Sequence, residues 1–144
     1  PGGRMEAGET PRQCALRETR EELGIPESAV TVIGEMDFVY IRAGSLLRPV
    51  LGEIDPAALV DMRPEPAEVA GTFLLPLRVL RAQEPEIYVR QQTLEAPDFP
   101  YEAAGVTPDY PWRPYRLEVP VFRGLSYPLW GITARITMDV LEKL

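Results

Sequence analysis

The chain predicts an α/β fold on three observations: a capped helix signal near its start, a β-rich stretch after it, and an amphipathic helix at its end. The first helix is expected over Pro11–Leu23. Thr10 is a good N-cap, Pro11 suits the first helical position, and Gln13 completes a Thr-x-x-Gln capping box. Gly24 supplies a left-handed stop, with Pro26 just beyond it. Residues 30–41 and 46–54, rich in valine, isoleucine and aromatics, read as strands on either side of an Ala43-Gly44-Ser45 turn. Residues 55–66 read as loop with one helical turn. Further strands are expected over 68–77, 87–94 and 115–122, with a short helix over 77–83 started by Pro76. Ile132, Ile136, Val140 and Leu144 recur at four-residue spacing, which marks a helix over 131–144.

A length of 144 residues fits a single domain over 1–144, large enough to bury a core, and no internal repeat or domain boundary is visible. Apolar residues at 45% and charged residues at 26% give the balance of a globular protein. No apolar run approaches the roughly 20 residues that span a bilayer, so no membrane association is expected. Fifteen basic against twenty-two acidic residues leave a net charge of −7, which repels a phosphate backbone and argues against nucleic-acid binding. One anionic small molecule remains compatible with that charge where cations neutralise it locally.

The absence of histidine excludes Ser-His-Asp catalysis, Cys-His catalysis and His-ligated zinc within this chain. Cys14, the one cysteine, has no partner for an internal disulfide and suits a reducing compartment, so a cytoplasmic setting is expected. Its mid-helix position among core-like neighbours reads as buried packing. Pro1 is not an initiator methionine, and the Gly2-Gly3 turn follows no strand. Strands, and any targeting signal, are therefore expected upstream of Pro1.

Between Pro97 and Pro128 lie seven of the sixteen prolines, with Phe99, Tyr101, Tyr110, Trp112 and Tyr115 among them. High aromatic and low glycine content makes this an ordered excursion rather than a flexible linker. Its rings either cover the core or form a wall of a substrate site that faces a base.

The first helix carries the chemistry. Glu18 and Glu22 are four residues apart and Glu21 is three beyond Glu18, so all three can share one face. Such runs also coat solvated helix faces with i,i+4 pairs. What a solvated face does not require is Gly3, Glu9 and Gly24-Ile25 at fixed distances from them. Crowded carboxylates of this kind suit a hard divalent cation such as Mg²⁺ or Mn²⁺, which takes oxygen ligands and shares them with substrate phosphates. Arg17 and Glu9 are placed to pair and hold the turn against the helix.

Residues 3–25 resemble the signature box of the Nudix hydrolases, Gly-x5-Glu-x7-Arg-Glu-U-x-Glu-Glu-x-Gly-U, where U is a bulky aliphatic residue. Every fixed position matches, and Thr19 stands at one U position. The resemblance implies an α/β/α sandwich around a mixed β-sheet and cleavage of a nucleoside diphosphate linked to another group. It implies Glu18 and Glu22 as the main metal ligands, Glu21 as a further ligand or general base, and the Gly3 carbonyl as a contributing ligand. Arg17 and Glu9 would orient the site, and Glu68 is the second candidate for the base.

Downstream stretches resemble the coenzyme A diphosphatase branch of that family. They are Val30-x-Val32-Ile33-Gly34, Pro49-Val50-x-Gly52, Glu68-Val69-Ala70, Phe73-x-x-Pro76-Leu77 and Trp130-Gly131-Ile132-Thr133-Ala134. Trp130 itself reads as core packing. Residues 39–48 depart from the Thr-Pro-containing run of the branch. The substrate this implies is coenzyme A, split by water at its pyrophosphate into 3′,5′-ADP and 4′-phosphopantetheine. Arg42 and Arg48 are candidates to meet its 3′-phosphate. ADP-ribose, NADH and dinucleoside polyphosphates remain alternative substrates, and a non-catalytic nucleotide-binding module is the alternative from another class. The oligomeric state stays open, with a homodimer among the options.

Overall fold

The computed structural model describes residues 1–41, 45–92 and 98–144. They fall into two compact units, Pro1–Ala82 with Ile136–Leu144, and Gln83–Arg135.

In the first unit, helix α1 spans Pro11–Leu23 with the expected boundaries. The Thr10 side chain accepts a hydrogen bond from Gln13 N, and the Gln13 side chain accepts from Thr10 N at 2.9 Å. Both orphan donors of the first turn are thus satisfied reciprocally. At the other end Gly24 adopts φ 68°, ψ 13° and its N–H returns to the Arg20 carbonyl. Ile25, directly after, is fully buried, and Cys14 and Thr19 are the buried residues of the helix.

A 3₁₀ turn over Glu27–Ala29 leads into β1 (Val30–Glu35). The β-rich stretch then divides into β2 (Val39–Ile41), β3 (Ser45–Leu47) and β4 (Val50–Ile54). Strand β1 pairs antiparallel with β4, Val30 opposite Ile54 and Glu35 opposite Val50, and Ile33 is an extra residue in that ladder. β2 and β3 form their own antiparallel hairpin. Each of the two long strands expected here is therefore broken in two. Pro49 has no N–H for a ladder, and Met36 N instead donates to the Pro49 carbonyl at 2.9 Å, where the β1–β4 ladder ends.

The expected helical turn after β4 is a 3₁₀ turn over Pro56–Leu59, capped by the Asp55 side chain. No strand forms over 68–77. Pro66 opens a turn in which Glu68 N and Val69 N both donate to the Glu65 carbonyl, and an irregular run follows to Pro76. Pro66 fixes the start of the turn and Gly71 weakens any strand that would follow it. Helix α2 then spans Leu77–Arg81.

The second unit is built on β5 (Glu86–Gln92) paired antiparallel with β6 (Tyr115–Phe122), in register from Glu86–Val121 to Gln92–Tyr115. β7 (Leu129–Trp130) adds to the far edge of β6. Phe122 and Pro120 are buried there. Helix α3 follows as Gly131–Lys143.

Helices combined with sheets are the α/β class expected. The strand pairings among the described residues are antiparallel throughout, where the family resemblance implied a mixed sheet. No helix among the described residues is long and apolar enough to cross a membrane. The ends of the expected 43–45 turn, the 87–94 strand and the 97–128 excursion lie partly outside the described residues.

Candidate active site

Arg17 is the hub of the acidic helix. Its Nε donates to Glu9 Oε1 at 2.9 Å, and its Nη2 to Glu9 Oε2 at 3.1 Å. Nη1 reaches Glu18 Oε1 at 2.7 Å and Glu21 Oε2 at 2.9 Å, while Nη2 also meets the Arg4 carbonyl. A planar guanidinium with five donors can serve three carboxylates and a carbonyl at once; an ammonium cannot. The side chains of Arg17, Glu9 and Glu18 are 16%, 11% and 13% exposed, whereas Glu21 is half exposed.

These contacts set the charges. The Arg17 guanidinium, followed by the Glu6 N–H at 2.8 Å, holds the Glu9 carboxyl down at about 2. The same bonds, that to Glu9 foremost, raise Arg17 further above its ordinary range. Burial, followed by the Glu9 charge, pushes the Cys14 thiol up, so it stays protonated.

The expected Gly2-Gly3 turn is not formed: the turn lies at Ala7-Gly8, and residues 1–6 run as irregular backbone against this face. Gly2 N donates to Glu22 Oε1 at 2.8 Å, and the Cys14 thiol donates to the Gly3 carbonyl with a separation of 3.8 Å. A Cβ at Gly3 would collide with the Glu18 carboxylate, so a side chain there would displace that carboxylate. Gly3, Glu9, Arg17, Glu18, Glu21 and Glu22 are therefore brought together, as their spacing predicts.

A second segment docks at the C-terminal end of α1. Arg63 N donates to the Leu23 carbonyl and Glu65 N to the Glu22 carbonyl, each at 2.8 Å. These bonds fill acceptors that a helix end leaves open. Glu68 thus sits on a turn anchored beside Glu22, rather than at the start of a strand, and its side chain is exposed. Sequence reasoning missed this docking; the only local signal is the rigid Pro64-Glu65-Pro66 run.

The donor set is oxygen only: the Glu18, Glu21 and Glu22 carboxylates and the Gly3 backbone carbonyl. That chemistry fits a hard divalent cation. In this conformation no three acidic or thiol side chains among the described residues are gathered tightly enough to enclose an ion. Arg17 holds Glu18 and Glu21, and the Gly2 amide holds Glu22, so a cation would compete with these donors for the same oxygens.

Other expectations fare differently. Arg48 is exposed between β3 and β4, and Arg42 lies outside the described residues. In the excursion, Phe99 packs edge-on against Tyr101 and Trp112 with ring centroids 5.0 Å apart, and Tyr110 against Trp112 at 5.2 Å. Trp130, expected in the core, is 61% exposed: β7 is a two-residue edge strand that, among the described residues, pairs with β6 alone.

The NUDIX domain family profile matches residues 1–96. The human protein named mitochondrial coenzyme A diphosphatase NUDT8 is 31% identical over 145 aligned positions, covering all of this chain and 54% of that protein. Nudix hydrolase 3 of Caenorhabditis elegans is 37% identical over 79 positions, 54% of this chain and 33% of that protein. An uncharacterized Nudix hydrolase NudL of Escherichia coli O6:H1 is 40% identical over 78 positions, 54% of this chain and 40% of its own length. The chain thus spans about half the length, or less, of these curated relatives.

Proposed function

The chain belongs to the Nudix family, and on that premise we propose that it is a divalent-metal-dependent pyrophosphohydrolase whose substrate is coenzyme A. The reaction adds water across the pyrophosphate and releases 3′,5′-ADP and 4′-phosphopantetheine. The observation that carries the reaction class is the Arg17 hub, which gathers Glu9, Glu18 and Glu21 beside the Gly2-Gly3 segment. The observation that favours coenzyme A is the likeness to human mitochondrial coenzyme A diphosphatase across the whole of this chain.

Glu18, Glu22, Glu21 and the Gly3 carbonyl would hold Mg²⁺ or Mn²⁺. When bound, such ions supply Lewis-acid polarisation of the phosphoryl oxygens and shield charge that develops in the transition state. Arg17 keeps Glu18 and Glu21 at fixed positions on the helix, and Glu9 fixes Arg17 from its other side. Glu21, half exposed at the rim, is the first candidate to take the proton of the attacking water. Glu68, on the turn docked beside Glu22, is the second.

The test is turnover of a panel of coenzyme A, ADP-ribose, NADH and a dinucleoside polyphosphate, with Mg²⁺ or Mn²⁺. Coenzyme A is expected to be the best substrate, and equal or better turnover of ADP-ribose would overturn that choice. Glu22→Gln is expected to lower kcat by orders of magnitude, and unchanged turnover would refute the ligand role. Parallel Glu21→Gln and Glu68→Gln variants separate the two bases, since only loss of the true base removes the ascending limb of the pH–rate profile.

A further inference from the structure

We propose that Cys14 is a positioning residue, setting the Gly3 carbonyl and the Arg17 guanidinium in place for the divalent-ion site; this rests on the reading of that site given above. Cys14 lies one helical turn before both Arg17 and Glu18, on the same face. Its side chain is buried to 6% exposure, beneath the N-terminal segment. The thiol donates to the Gly3 carbonyl at 3.8 Å, and the sulfur accepts from Arg17 Nη2 at 3.6 Å.

One side chain therefore touches both halves of the site: the segment that lies against Glu18 and the arginine that grips it. Each sulfur contact is weak alone. Their geometry matters more than their strength, because the Gly3 backbone lies directly against the Glu18 side chain. The Gly3 backbone already abuts the Glu18 carboxylate so closely that a Cβ there would displace it. The sulfur meets the Gly3 carbonyl from the same helix face and restrains how that carbonyl sits against the helix. Arg17 Nη2 has two oxygen partners besides the sulfur, Glu9 Oε2 and the Arg4 carbonyl, so the thiol also restrains the edge of the guanidinium nearest that segment.

The experiment titrates Mn²⁺ into the substrate-free chain by calorimetry, for the parent, Cys14→Ala and Cys14→Ser, with metal-free thermal melts of each. Cys14→Ala removes both donor and bulk; Cys14→Ser keeps a donor. Cys14→Ala is expected to weaken Mn²⁺ binding about three- to tenfold, below the ~10–100-fold typical of a full outer-shell partner, because a thiol donor is weak. Cys14→Ser is expected to recover most of that affinity. Parent-like Mn²⁺ affinity in Cys14→Ala overturns the proposal. So does a Cys14→Ser variant whose loss equals that of Cys14→Ala, or, should Cys14→Ala not fold, a Cys14→Ser variant that loses tenfold or more. A parent that fails to bind Mn²⁺, or binds it equally after Glu22→Gln, sinks the site reading and this proposal together; a failure confined to the Cys14 variants sinks only the latter.

Discussion

Arg17 Nε and Nη2 grip both oxygens of Glu9 at 2.9 and 3.1 Å, so the residue preceding the helix cap is locked to the residue that organises the helix face. A bidentate pair of this kind fixes orientation as well as distance. Through the same guanidinium Glu9 is tied to Glu18 and Glu21 on that face.

The Glu9 carboxyl gives this pair a pH signature. Its folded value of about 2 lies below the ordinary 4.5. Between these limits the unfolded chain binds the extra proton, so stability rises with pH there. The contribution is complete above the unfolded value and is lost as the pH falls toward about 2. Urea denaturation of the parent and Glu9→Gln across this window should show two curves that converge at its acid end. Parallel curves would mean that Glu9 is not a source of the slope.

Replacing Arg17 by lysine keeps the charge and removes the fork. One ammonium cannot meet Glu9, Glu18 and Glu21 together. We expect Arg17→Lys to lower kcat/KM on the proposed substrate by about 10–100-fold, the cost typical of an outer-shell orienting group. Steady-state kinetics at saturating Mg²⁺ would check this, and parent-like values would show that charge alone suffices.

At Gly3 the smallest substitution already disturbs the Glu18 carboxylate. Gly3→Ala drives a methyl group into the Glu18 carboxylate. Because Gly3 is exposed and the Glu18 side chain is flexible, the chain should relieve the clash by displacing that carboxylate, with little change in the melting temperature. Activity should fall by about 10–100-fold. A circular dichroism melt beside a rate measurement separates the two effects, and an active Gly3→Ala variant would contradict the close approach.

Gly24→Ala tests the helix stop. The position has φ 68°, and an added Cβ would lie 3.1 Å from both the Cβ and the carbonyl oxygen of Arg63. Left-handed geometry alone costs about 1–2 kcal/mol for a residue with a side chain. Chemical denaturation should show a loss of at least about 1 kcal/mol; a smaller loss would mean that the loop around Arg63 yields freely.

Where structure follows from neighbours in the chain, the sequence was legible. Thr10, Pro11, Gln13 and Gly24 bracket α1 by local chemistry, and the carboxylate spacing fixes which of its residues share a face. Tyr115–Phe122 likewise forms the strand its composition favours. What stayed hidden depends on distant backbone. The division of the β-rich stretch turns on Met36 bonding to Pro49, and the turn that replaces a strand at Glu68 accompanies the docking of Arg63 and Glu65 on the end of α1. Main-chain N–H and carbonyl groups are the same in every residue but proline, so such pairings leave no trace in side-chain identity. The sulfur contacts of Cys14 were hidden for a related reason: its burial was legible, but not which carbonyl it would meet.

The Leu23 and Glu22 carbonyls are paired by amides of Arg63 and Glu65, from a segment that the ribosome delivers only after β1 to β4. The acidic end of α1 is thus completed by a late arrival. Until that segment docks, the last turn is free to fray, and Glu22 frays with it. Opening of the loop and loosening of the carboxylate should therefore be one event, with the Arg63 and Glu65 amides exchanging with solvent at a common rate.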